Sequence, residues 1–150
     1  MLRTALVGIF LGLYILIVGP PFILHCLITG NADRLFQVGL AGAAMALRLL
    51  GVRVRAEGVE NIPAGVCLFV GNHTSNLDPP AVVSVIARRV SMLGKKEVWK
   101  IPVFGRALNL AKFVPVDRTN REAARASGEL AVKYLQERSE ERRVGKECRL

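Results

Sequence analysis

Apolar positions run from Ala5 to Thr29 without a single charged residue. The first arm, Ala5 to Gly19, reaches only about 22 Å as a helix, short of a hydrocarbon core of roughly 30 Å. Pro20 and Pro21 interrupt the run, and Phe22 to Ile28 resumes it. As one kinked helix the whole stretch reaches about 37 Å and spans a bilayer; as two arms about the prolines it forms a re-entrant hairpin. Asn31-Ala32-Asp33 opens a second helix that continues to about Leu50, and its centre, Val38 to Leu47, is apolar all round and rich in small residues. Gly8 and Gly12 carry the spacing of a helix-packing face.

Beyond Leu50 the period changes. Val52-Arg53-Val54-Arg55-Ala56 alternates as a half-exposed strand does. Gly58 to Gly65 is turn-rich, and Val66 to Val70 is continuously apolar, which predicts a strand covered on both faces. A short helix over 80–88 follows, then a strand over 90–93. Residues 95–108 read as helical on both sides of Pro102. Phe113 to Arg118 is a short strand whose Pro115 is disfavoured at a central ladder position. Thr119-Asn120-Arg121-Glu122 reads as a capping box. It opens a helix with Ala123, Ala124, Leu130, Ala131, Tyr134 and Leu135 on one stripe. The alternation predicts an α/β fold: a right-handed layer, with a sheet flanked by helices, behind the apolar N-terminal segment.

Composition narrows the partners. The 150 residues are 51% hydrophobic with a mean hydropathy of +0.35, the excess lying in the first fifty. A net charge of +9 suits a partner that carries phosphates. Nucleic acid fits poorly, because aromatics are only 6% and no binding motif of that class is present. Anionic lipid fits the apolar N-terminus better. With no small-x-small cleavage site after it, that segment reads as a retained anchor. Arg34, Arg48, Arg53 and Arg55 then place the remainder on the cytoplasmic side. Cys26, Cys67 and Cys148 make no Cys-x-x-Cys pair, so neither a zinc site nor a disulfide framework is expected, and a reducing compartment is.

The candidate chemistry lies in Asn72-His73-Thr74-Ser75-Asn76-Leu77-Asp78-Pro79-Pro80. Loops leaving the ends of strands carry the sites of open α/β sheets. Folded back, this one lets Asp78 accept from one imidazole nitrogen of His73 while the other faces a cleft, as a general base requires. The competing reading is structural: Asp78 before two prolines is also a good helix N-cap, and His73 then only bonds the loop.

These residues resemble the His-x-x-x-x-Asp block of the glycerolipid acyltransferases, the family typified by 1-acyl-glycerol-3-phosphate acyltransferase. A second ordered block strengthens the resemblance: Lys95, Lys96 and Glu97, then Ile101, Pro102, Phe104 and Gly105, then the strand ending in Asp117-Arg118. The likeness covers roughly Gly58 to Arg121. One departure is Lys112, where the family commonly has glycine. The resemblance implies that His73 and Asp78 are catalytic and that Arg118, Lys95, Lys96, Asn72 and Ser75 bind substrate. Arg118 offers a planar fork suited to phosphate oxygens, an ion pair with Asp117 being its structural alternative. It also implies direct transfer of a fatty acyl group from acyl-CoA or acyl carrier protein to the free hydroxyl of 1-acyl-glycerol 3-phosphate, without metal or cofactor, at a bacterial inner membrane. Other acceptors in the same class are glycerol 3-phosphate, a lyso-ornithine lipid and a lipid A precursor. A non-catalytic membrane lipid-binding module is the alternative outside the enzymes.

The family's third block, Phe-Pro-Glu-Gly-Thr-Arg, is expected on a strand after the last helix and has no counterpart here. Residues 138–150 instead resemble the conceptual translation of a sequencing adaptor. The expected division is therefore membrane-associated helices over 1–50, a partial acyltransferase domain over 51–137, and a non-native tail over 138–150. An incomplete sheet, and an inactive or poorly stable fragment, follow from that division. The tail holds five basic residues and three glutamates, so the rest keeps a charge of +7.

Overall fold

The computed structural model of the chain describes residues 2–86 and 88–147, with side chains to Glu137. Helix α1 (Leu2–Thr29) is continuous and carries both prolines inside it. A proline withholds the N–H that would reach back four residues, here to Leu16 and Ile17, both on the exposed side of the helix. Of the two alternatives the single helix is the one observed, and the chain turns back only at Gly30, whose φ of +68° suits a residue without Cβ. Asn31 Oδ1 accepts from the Asp33 amide at 2.7 Å and so caps α2 (Asp33–Leu50).

Helix α2 returns alongside α1. The Tyr14 hydroxyl donates to the Val38 carbonyl at 2.9 Å. Its ring lies so close to Gly42 that a Cβ there would come within 2.6 Å. At the far end Arg3 Nε donates to the Leu49 carbonyl at 2.6 Å, a cation placed at the negative end of α2. Within the chain Gly8 and Gly12 meet nothing, and the close approach of α1 to α2 comes at Gly42 instead. Val7, Ile23 and Cys26 form the inner face of α1, whereas Leu6, Ile9, Leu13, Leu16, Leu24 and Leu27 stay exposed along the outer one.

Two small cores result. Ile23, Cys26, Ala32 and Leu35 pack with Phe22, Val103, Ala107 and Leu110, joining the α1–α2 elbow to α4 (Phe104–Leu110). Val83, Ile86 and Val90 pack with Phe36, Leu40 and Met92, joining α2 to α3 (Asp78–Val85). Val103, at the entry to α4, has φ 66° and ψ −52°, and the Phe104 amide donates to the Pro102 carbonyl at 2.7 Å. That is a γ-turn of the strained hand, unusual for a β-branched residue. Its side chain fills the notch at Gly19, where a Cβ would come within 2.7 Å of it.

The sheet has two parallel strands, β1 (Leu93–Lys95) and β2 (Val114–Val116), with Leu93 opposite Val114, Gly94 opposite Pro115 and Lys95 opposite Val116. The crossover is a 3₁₀ turn, Lys96–Lys100, followed by α4. The chain is thus a mixed α/β molecule, mostly helical, behind an apolar N-terminal helix. The strand expected over 90–93 lies further on because Val90 is drawn into the second core. Pro115 is tolerated because a strand of a two-stranded sheet is an edge. Lys112, the departure from glycine, adopts φ +59°, the region that favours glycine. Asn120, not Thr119, caps α5 (Arg121–Glu147), accepting from the amides of Glu122 and Ala123 at 3.0 and 3.1 Å. The apolar stripe of α5 is half-buried, and Ser127 Oγ donates to the Pro115 carbonyl at 2.8 Å.

Two expected strands are absent. Residues 52–56 and 66–70 are in no strand, and Leu68 and Val70 are 73% and 88% exposed. An apolar run becomes a strand only when its N–H and C=O groups meet a neighbour, and no ladder among the described residues reaches either segment. The expected foreign tail, 138–150, lies outside the described side chains.

Candidate active site

The loop that leads into α3 closes on a single oxygen. Asp78 Oδ2 accepts from the amides of Thr74 and Ser75, each at 2.7 Å, and from His73 Nδ1 at 2.9 Å. Proline at the next two positions starts α3 without needing amide donors. Asp78 lies in the first turn of α3 and its side chain caps no helix amide, so it is free to reach back. The Asp78 amide meanwhile donates to the Ser75 carbonyl at 3.0 Å, and the Leu77 amide to Ser75 Oγ at 3.2 Å. The structural reading of Asp78 as an N-cap is thereby set aside.

Charge follows this geometry. The hydrogen bond from His73, then the Ser75 and Thr74 amides, hold the Asp78 carboxyl below its ordinary value of 3.8. An ionised carboxylate only accepts, so Nδ1 of His73 carries a proton, and in the neutral ring the lone pair is then on Nε2. The His73 side chain is 51% exposed and that of Asp78 32%. An imidazole so held can take a proton at Nε2 and have the resulting cation stabilised at Nδ1.

The second group of expected residues assembles elsewhere. Lys96, just after β1, is hydrogen-bonded and ion-paired to Asp117, just after β2. Asp117 Oδ1 accepts from the Thr119 hydroxyl and amide at 2.6 and 3.0 Å. Lys96 first, and Thr119 after it, push the Asp117 carboxyl far below its ordinary value; Asp117 in turn raises Lys96. Asp117 is therefore engaged by Lys96 and Thr119, not by Arg118. Arg118 stands exposed in the turn beyond, and Lys95 is exposed at the end of β1. Asn72 is exposed beside His73, and Ser75 shapes the loop through its hydroxyl. Among the described residues no hydrogen bond or ion pair joins the His73 group to the Lys96 group.

Trp99 donates from Nε1 to Asn109 Oδ1 at 2.7 Å and lies against Gly94. Gly105 is obligatory, since a Cβ there would come within 2.1 Å of the Trp99 carbonyl oxygen. Sequence reasoning missed the two backbone donors to Asp78, which depend on the loop's fold. It missed the grip of Thr119 on Asp117, although a hydroxyl two residues after an aspartate is a turn signal. Arg88, which grips the stretch ahead of the loop, carried no signal. No group of three or more His, Cys, Asp or Glu side chains that could hold a metal occurs among the described residues.

Helix α1 is the one helix among the described residues that is long and apolar enough to cross a membrane, and at 28 residues it measures about 42 Å. The chain is 32% identical over 74 residues to a Pseudomonas aeruginosa protein named 1-acyl-sn-glycerol-3-phosphate acyltransferase. That stretch is 49% of this chain and 28% of the relative, so the chain spans well under a third of the protein it matches. No solved structure matches it. The model of the Acyltransferase family matches residues 53–144, more than half of the chain and inclusive of both groups of polar residues, and the chain belongs to that family.

Proposed function

We propose that the whole protein transfers a fatty acyl group from acyl-CoA or acyl carrier protein to the free hydroxyl of 1-acyl-glycerol 3-phosphate, giving phosphatidic acid. The observation that carries this reading is the 2.9 Å contact between His73 Nδ1 and Asp78 Oδ2. Neutral His73 takes the acceptor's hydroxyl proton at Nε2 while the oxygen attacks the thioester carbonyl. The tetrahedral adduct collapses to the ester and expels the thiolate, which recovers the proton from the imidazolium. Asp78 holds the ring and stabilises its cation. Ser75 spends its hydroxyl on the loop, which favours direct transfer over a covalent serine intermediate. Arg118 and Lys95 supply donors for the acceptor's phosphate, with Lys96 holding Asp117 away from them.

The reading needs no metal or cofactor, the donor being a co-substrate. The Pseudomonas relative's name and the family membership support the reaction class. Helix α2 covers one side of α1 and α4 packs against its second half. The exposed apolar side is then the one offered to lipid, so the helix lies against the bilayer with the catalytic part at the cytoplasmic face of the inner membrane. The test is thiol release from an acyl thioester on adding lysophosphatidic acid. His73→Ala should cut the rate by roughly 10²–10⁴-fold while membrane association persists. Parental turnover in that variant would overturn the role given to His73, whereas no turnover in the intact parent would leave a lipid-binding module in place of an enzyme.

A further inference from the structure

Arg88 follows α3 and is half-buried. Its Nη1 donates to the carbonyls of Pro63 and Gly65, at 2.8 Å each, and its Nη2 to Cys67 Sγ. The guanidinium carbon stands 5.6 Å from the centroid of the Phe69 ring. All four partners lie between Pro63 and Phe69, a stretch that no ladder reaches among the described residues. Cys67 and Phe69 are two apart, so their side chains share one face of an extended chain. Val66, Leu68 and Val70 on the other face are exposed. One rigid fork of N–H donors thus holds two backbone carbonyls and two side chains of the stretch at once, which a lysine's single point charge cannot reproduce.

The placement matters for the site. Phe69 lies four residues before His73, and Arg88 follows the helix whose first turn holds Asp78. Arg88 therefore ties together the two chain segments that enter and leave the 70–78 loop. We propose that Arg88 is a positioning residue, fixing the approach of 63–69 to α3 so that His73 Nδ1 meets Asp78 Oδ2. The inference rests on the reading of His73 as the base. Ordinary packing predicts that Arg88 matters for stability alone; positioning predicts that it selects the His73 tautomer.

The imidazole ¹⁵N shifts of His73, measured on the intact protein without substrate, separate the two. The parent should show the Nδ1–H tautomer. Arg88→Lys should show mixed tautomers with its fold kept. In the intact enzyme kcat should fall roughly 10²-fold, with the acceptor KM held within about twofold, and methylguanidinium should restore part of the rate to Arg88→Ala where methylammonium does not. Arg88→Gln, whose amide still reaches a carbonyl, provides the same reading if Arg88→Lys fails to fold. A folded variant of either kind that keeps a single Nδ1–H tautomer overturns the proposal, as does an unchanged kcat. Because the tautomer is read without turnover, its outcome stands apart from that of the thiol-release assay on His73→Ala.

Discussion

His73 and Asp78 meet across five residues of sequence; Lys96 and Asp117 meet across twenty-one. The first pair is closed by its own loop, through two amides that lie between the partners. The second exists only because β1 and β2 run parallel, with Lys95 in register with Val116, so that the residue after each strand faces the other. A local closure needs little beyond a turn and a proline-started helix, and its entropy cost is small. A non-local one is as secure as the packing beneath it, here Val114 at 1% exposure. The His73–Asp78 pair therefore depends on its short loop, and the turn that carries Arg118 depends on the sheet.

The largest test of this contrast is Asp78→Asn. Losing the carboxylate should remove the preference for the Nδ1–H tautomer and lower kcat by roughly 10²-fold or more, with the acceptor KM nearly unchanged; steady-state kinetics decide. Next is Val114→Ala, which should cost roughly 2 kcal/mol in urea unfolding. Val70→Ala, at 88% exposure, should stay within about 0.5 kcal/mol. Equal losses would mean that 66–70 is paired in solution. Lys96→Met should do the reverse of Asp78→Asn. It releases Asp117 beside Arg118, and the acceptor KM should rise about tenfold at constant kcat.

Smaller still is the effect at Lys112. Lys112→Gly should be more stable than Lys112→Ala by about 1 kcal/mol, the opposite of the usual order, because only glycine adopts φ +59° without strain. The parent lysine offsets that strain with its ion pair to Glu137 at 3.1 Å and its ammonium over the Tyr134 ring. The finest distinction is in pH. Asp78 and Asp117 are both depressed, so each contributes stability above 3.8 that is lost as acid carries the pH through its lower folded value. Lys96 is raised, so its share is present below 10.5 and lost as the pH rises through its higher folded value. Carboxyl ¹³C shifts should therefore show Asp117 responding at both extremes and Asp78 only at the acid one.

Much of the site was legible in the chain because its defining contact is short-range. The His73–Asp78 spacing and the stripe on α5 both act within a few residues, whereas the two prolines, read as support for an N-cap, start a helix that leaves the Asp78 side chain free. The departure at Lys112 is local as well, lying where the backbone is left-handed. What the chain did not reveal was which apolar runs would find partners. Val66–Val70 and Val114–Val116 look alike in hydropathy, yet one is largely exposed and touched by Arg88 at Cys67 and Phe69, and the other is paired, with Val114 buried. Hydrophobicity states that a segment favours burial, whereas a strand also requires a neighbour's donors and acceptors at the right register, and tertiary packing alone decides that.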